Sequence, residues 1–300
     1  MIRLCIPFLL TDTNQIPDRS EYEDEIFLEP NIFDGIELQK IIHHDQLDKL
    51  LQNASKFGKI KAFHFPTENA DYLNIKRIER TLLETIKIIG RNKIPHLVLH
   101  SNYIQPLGEF EYSNMPETRK RFIKFYNEIR ATAIKSEVVI CIENLPIIGN
   151  NGDDFDSVFV FPQDFDDFDS PNIRIAWDIG HWAYTCKEFL KLSRHLGFKE
   201  DYILDFYDFI KLGSKIIRFH FSSFKNKKGN SNFPSCEEGI IPQLGHYDEK
   251  ILAHACRIIN DWPQDVDITL EMKETNYHKR ENLHHAINWF YTNVISCQKS

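Results

Sequence analysis

The run 173–177 constrains this chain more than any other stretch. It is short, apolar and rich in β-formers, so it reads as a buried strand. It stops on Asp178, with a turn expected at Gly180 and an imidazole at His181. A buried strand that ends on a carboxylate and meets a histidine at once delivers two metal-binding or acid/base groups to one mouth. A closed parallel α/β barrel keeps its chemistry at that end of its strands.

The same ending recurs along the chain. Apolar runs that read as strands cover 2–8, 32–38, 60–65, 96–100, 137–143, 173–177, 216–221 and 267–272. Asp34 and Gly35 read as the turn into the second of them. Helical spacing falls at 45–57, 74–89, 116–135, 187–212, 249–261 and 282–295, with Gly90 expected as a C-cap and Pro116 opening its helix. Two long connections interrupt the alternation, an Asp- and Phe-rich one at 147–169 and another at 222–246. Eight strands, most followed by a helix, predict an α/β protein, a (β/α)8 TIM barrel in a single domain over 1–300. A doubly wound open sheet would want a Gly-rich phosphate turn after the first strand, and that turn is missing.

At 300 residues and 42% hydrophobic, the chain can bury a core of that size. Its formal net charge of -8 argues against a large polyanion-binding face. Six scattered cysteines with no C-x-x-C pair are expected as reduced thiols. The apolar run after Met1 is too short for a signal peptide or a membrane span, so a cytoplasmic location without membrane contact is expected.

Polar groups gather at the strand ends: His64, His100, Glu143 with Asn144, Asp178 with His181, His220, and Glu271. Each sits in or beside an apolar run, where an unpaired charge would cost several kcal/mol. Carboxylates and imidazoles that converge on a divalent metal satisfy one another. With no cysteine at a strand end, the set suits Mn, Mg, Co, Fe or catalytic Zn better than structural Zn. A lone histidine at a strand end is more often a hydrogen-bonded core residue. His96, His195 and His254 are assigned to that class or to the surface, and the pairs 43–44 and 284–285 to solvent. Glu37 ends the expected second strand in the same style and reads as a rim or floor residue. Cys141 shares its parity with Glu143 and reads as packing one layer below. For Glu143, Asp178, His220 and Glu271 together, coincidence is a poor account.

These residues carry a pattern that resembles the xylose-isomerase-like TIM-barrel superfamily, with its sugar isomerases and epimerases and the endonuclease IV type of AP endonuclease. The matching pieces are DGIEL at 34–38, HFP at 64–66, LVLH at 97–100, CIEN at 141–144, DIGH at 178–181, RFH at 218–220, LG at 244–245 and TLE at 269–271. The resemblance implies one divalent metal held by Glu143, Asp178, His220 and Glu271, with His181 touching substrate. Glu143 and Glu271 would then remove and return a proton α to a carbonyl through a metal-stabilised enediolate. In the endonuclease type, His64 and His100 would join Glu143 on a further metal, and His181 would bind a third with an Asp-x-His in the loop after the seventh strand. Here Glu238 and Ile240 align with that Asp and His, and isoleucine cannot ligate a metal; His246 lies nearby, shifted.

DNA recognition needs phosphate contacts around the mouth. The loop after the fifth strand holds Asp153, Asp154 and Asp156, an unfavourable neighbour for phosphates. Lys225, Lys227 and Lys228 follow the seventh strand, and Lys225 is the candidate for a substrate phosphate. A small sugar or polyol is therefore the expected partner, with duplex DNA the alternative. Phe155, Phe159, Phe161, Phe165 and Phe168 are expected as core packing, with a lid or a homo-oligomer contact as the sharper reading.

Overall fold

The computed structural model describes residues 1–18, 25–106, 112–149, 154–194, 197, 203–228 and 234–296. Eight parallel strands run around a closed ring: β1 (Ile2–Leu9), β2 (Phe27–Asn31), β3 (Ala62–His64, preceded by the short stretch Lys59–Ile60), β4 (His96–Leu99), β5 (Val139–Glu143), β6 (Ile173–Asp178), β7 (Ile216–Phe221) and β8 (Val266–Leu270). Each pairs with its neighbours in chain order, and β1 lies beside both β2 and β8, which closes the (β/α)8 barrel. The outer layer is α1 (Gly35–His43), α2 (Leu47–Ala54), α3 (Lys76–Arg91), α4 (Met115–Lys135), α5 (Ile179–Leu192), α6 (Glu249–Asn260) and α7 (Glu281–Phe290). None of the described helices is long and apolar enough to cross a membrane.

Helical periodicity explains the outer core. On α3, Ile78, Leu82, Ile86 and Ile89 are buried at i, i+4, i+8 and i+11, and on α4 Phe122, Phe125, Tyr126 and Ile129 repeat the stripe. Each such side chain contributes about 1.5–3 kcal/mol of burial. The phenylalanine-rich segment belongs to this core. The ring centroids of Phe159 lie 5.4 Å and 5.3 Å from those of Phe165 and Phe168, and Phe161 meets Phe189 edge-on at 5.8 Å. The side chain of Phe155 lies outside the described residues.

Strand alternation sorts the barrel interior into levels. Two residues below the strand-end groups sit Cys5, Glu29, Ala62, Val98, Cys141, Ala176, Arg218 and Thr269, all buried. Ala62, Val98, Cys141 and Ala176 pack as one small cluster, which bears out the packing role expected of Cys141.

Several boundaries differ from the sequence reading. The second strand is 27–31, not 32–38, because Asp34 starts a helix instead of a strand turn. Its Oδ1 accepts from the amides of Ile36 (2.6 Å) and Glu37 (3.0 Å), an N-cap, and Glu37 lies exposed on α1. Gly90 is inside α3, whose last residue is Arg91 and whose C-cap is Asn92; Gly90 serves close approach to Ser136, not capping. The helix expected at 187–212 is α5, which begins at Ile179, followed by tight helical turns at Phe206–Lys215. The loop 222–246 contains a hairpin of Ser223–Lys227 with Ser235–Ile240.

Candidate metal centre and active site

Glu143 is the hub. Its Oε2 lies 3.3 Å from His64 Nε2, 3.2 Å from His100 Nε2 and 3.1 Å from His220 Nδ1, and its Oε1 lies 3.6 Å from His181 Nδ1. Glu271 Oε1 is 3.2 Å from the same His220 Nδ1. Glu143, Asp178, His220 and Glu271 offer ligand atoms that all lie within 4.8 Å of one another, and so do His64, Glu143 and His220. All seven histidines and carboxylates singled out at the strand ends thus converge on one mouth.

Local structure fixes their orientation. The Asn144 side chain bonds both backbone groups of Asp178, accepting from its N–H at 2.8 Å and donating to its carbonyl at 3.0 Å. Asp178 Oδ1 in turn accepts from the His181 amide at 2.6 Å and caps α5. The helix therefore starts directly at the strand end, and Gly180 lies in its first turn, where a Cβ would meet the Ser222 carbonyl oxygen at 2.8 Å. His64 Nδ1 lies 2.8 Å from the Phe65 carbonyl, and His181 Nδ1 lies 2.9 Å from the Asn144 carbonyl. A carbonyl only accepts, so both Nδ1 atoms carry hydrogen and both Nε2 atoms face the mouth.

The residues present fit a divalent cation. His100 Nε2, both carboxylate oxygens of Glu143, His181 Nε2 and His220 Nδ1 are buried without a hydrogen-bond partner. Their mutual distances are short, yet they are not aligned for hydrogen bonds. Each buried orphan costs about 1–3 kcal/mol, and here their lone pairs converge. Electrostatics separates the carboxyls. Burial would raise Glu143, but His220 and His100 outweigh it and hold the group well below the usual carboxylate range. Burial, reinforced by Glu143 and Asp178, pushes Glu271 up to about 7, and burial raises Asp178 as well. Burial would lower His220, but Glu143, Glu271 and Glu29 lift it well above an ordinary imidazole.

Glu29 was not anticipated, because the sequence reading put Glu37 in the second strand. Glu29 Oε1 lies 2.9 Å from His220 Nε2, while Oε2 accepts from Arg218 Nε (2.9 Å), Arg218 Nη2 and Thr269 Oγ1 (2.6 Å). Arg218 gave a usable signal: an arginine at inward parity in an apolar strand requires a buried carboxylate.

A model of the xylose isomerase-like TIM barrel family matches residues 33–293. The chain belongs to that family. No curated protein sequence matches it. Among solved structures it is similar to a D-tagatose 3-epimerase-like protein (16% identity, 96% of this chain and 97% of that one, TM-score 0.58). It is also similar to a D-psicose 3-epimerase from Clostridium cellulolyticum H10 (12%, 97% and 99%, 0.59) and to a mannonate dehydratase from Streptococcus suis serotype 2 (12%, 99% and 95%, 0.61). At these identities the likeness is one of fold.

The mouth of this xylose isomerase-like barrel opens into a cavity of about 980 Å³ that includes His64, His100, Glu143, His181 and Glu271. Glu238 reaches it from the hairpin, with Oε1 3.2 Å from His181 Nε2. Ile240 lies opposite Ser223 in the hairpin ladder, and His246 is exposed, its Nδ1 accepting from the Asn226 amide at 3.0 Å, so neither joins the cluster. Lys225 pairs across the hairpin with Glu237 and is not among the cavity-lining residues. Asp153 and His195 lie outside the described residues, as do the side chains of Asp154 and Asp156.

Proposed function

We propose that the protein is a divalent-metal-dependent isomerase or epimerase of a small sugar or polyol. It acts by proton transfer next to a carbonyl, with the whole chain serving as one barrel domain. One observation carries this reading: Glu143 and Glu271 approach the same His220 nitrogen, at 3.1 Å and 3.2 Å, from two walls of one cavity. Their environments push them apart, Glu143 held ionised and Glu271 poised near neutrality. An ionised carboxylate beside a carboxyl that gives and takes a proton near neutrality is a pair suited to moving a proton off a carbon and back.

Glu143, Asp178, His220 and Glu271 would hold the metal (Mn, Mg, Co or Zn), which when bound supplies Lewis-acid polarisation of a carbonyl and its neighbouring hydroxyl. Glu271 exchanges the proton from the open side. The Nε2 of His181 and the Glu238 carboxylate face the cavity and orient substrate hydroxyls. The buried Phe8, Phe65 and Met272 line the cavity with apolar surface that disfavours water.

A second reading, an endonuclease IV-like AP endonuclease, is favoured by His64 and His100 crowding the Glu143 oxygen that also faces His220. The charge of the cavity supports the sugar reading over it. Glu68, Glu143, Glu238 and Glu271 line the wall, while Lys273 is tied to Glu237 at 2.7 Å and Arg280 donates to the Pro7 carbonyl. That wall is unfavourable to DNA phosphates and suits an uncharged polyol. Deuterium incorporation from heavy water into a panel of ketoses and ketose phosphates, by Mn- or Co-loaded protein with a chelator control, tests the lead reading. Chelator-sensitive nicking of a duplex with one abasic site, lost in Glu143→Gln, would instead establish the second.

A further inference from the structure

Beneath the candidate metal centre lies a buried ion pair to which the reaction assigns no part. We infer that Glu29 is a positioning residue that sets the tautomer of His220, with Arg218 and Thr269 occupying its other oxygen. The two oxygens of Glu29 have separate duties. Oε2 accepts from Arg218 Nε at 2.9 Å, from Arg218 Nη2, and from Thr269 Oγ1 at 2.6 Å. Thr269 Oγ1 itself accepts from Arg218 Nη2 at 2.7 Å, so its own hydrogen is directed to Glu29. Oε1 faces His220 Nε2 alone, at 2.9 Å. A carboxylate with no hydrogen to give makes His220 Nε2 the donor. Nδ1 is then the lone-pair nitrogen, and it points at Glu143 and Glu271.

An isosteric change exposes the dependence. In Glu29→Gln one end of the side chain becomes an NH2. Three donor hydrogens from Arg218 and Thr269 claim the oxygen end, so the amide nitrogen must turn to His220. It then donates to Nε2, the ring hydrogen moves to Nδ1, and the nitrogen facing the mouth can no longer ligate. Shape and volume are preserved while the tautomer inverts, as when the aspartate of a serine-protease triad becomes asparagine.

The test uses the full chain in two readouts. The first is the long-range 15N–1H pattern of His220 in metal-free protein, at a pH where the ring is neutral. Wild type is expected as the Nε2–H form, Glu29→Gln as the Nδ1–H form, and Thr269→Val, which removes one donor but leaves the carboxylate, as wild type. An Nδ1–H ring in wild type, or an unchanged ring in Glu29→Gln, overturns the inference, and the wild-type measurement decides even if Glu29→Gln fails to fold. The second is Co or Mn affinity by calorimetry, which rests on the metal-dependent reading and should fall about 10–100-fold or more in Glu29→Gln. Unchanged affinity in Glu29→Gln overturns the inference. A wild type with the Nε2–H ring that binds no divalent ion overturns the metal reading and leaves the tautomer control standing.

Discussion

Metal binding should release protons and tighten steeply with pH. In the metal-free protein burial pushes Glu271 up to about 7, so near neutrality roughly half of the molecules hold it protonated. Glu143, Glu271 and Glu29 overcome burial and lift His220 well above an ordinary imidazole, so its ring holds the second proton more tightly. Both groups must be free of that proton to ligate. The sign follows: below its metal-free pKa each group makes the ion compete with a proton, so affinity falls as pH falls. From pH 8 to pH 6 the free fraction of Glu271 drops about tenfold, and the raised His220 works in the same direction, so affinity should fall at least about tenfold. Calorimetry of Mn or Co binding in buffers of different ionisation enthalpy reads both the affinity and the protons released, and a net release is expected near pH 7. A dissociation constant that stays level from pH 6 to pH 8, with no proton release, would refute the reasoning.

Three further outcomes are expected. Glu271→Gln keeps the size of the side chain but removes its proton exchange, so turnover at saturating metal should fall about 10²–10⁴-fold; turnover within a few-fold of wild type would remove Glu271 from its role. His96, at the inward start of β4, is held down at about 4 by burial, with Arg218 adding to it. Its folded pKa is depressed, so the unfolded chain takes up the proton first, and stability is lost between about pH 6.5 and pH 4 at no more than ~1.4 kcal/mol per unit. Urea titrations of His96→Gln should show a flatter acid limb, and parallel limbs would contradict this. In Gly90→Ala the new Cβ would lie 2.3 Å from the Ser136 carbonyl oxygen, which is backbone and cannot swing away. A loss of about 1–3 kcal/mol is expected in denaturant unfolding, and an unchanged midpoint would speak against that close approach.

The strand ends were legible because a charged residue closing an apolar run has few explanations. Glu143, Asp178, His220 and Glu271 come together as that logic requires. The second strand was misplaced because an Asp-Gly step has two meanings. Asp34 could open a strand turn or cap a helix, and only the amides of Ile36 and Glu37 on its side chain decide for the helix. The start of α5 was hidden for the opposite reason. Ile179, His181, Trp182, Ala183, Tyr184 and Thr185 are all buried, so its first turns carry no polar face and no 3.6-residue stripe. The hairpin that brings Glu238 to His181 depends on pairing across a long connection, which local spacing does not encode.

The barrel interior follows from where His220 sits. His64 and His181 dispose of their outer nitrogens on backbone carbonyls, at Phe65 and Asn144, where the chain has left the ladder. His220 lies within β7, which pairs with β6 on one side and β8 on the other, so the nearby carbonyls are committed to the sheet. Only a side chain can accept from its outer nitrogen, and Glu29 does. A carboxylate at that depth is costly unless paired, and Arg218, fully buried, pairs it and leans on Asp267 at 3.4 Å as well. A buried guanidinium needs volume, and six of the other seven residues on its level (Cys5, Ala62, Val98, Cys141, Ala176 and Thr269) are small. Buried ion pairs of this kind stabilise a fold little when an apolar set of equal volume could replace them. Its position directly beneath His220 is therefore better explained by what it does for one histidine ring than by what it adds to the barrel.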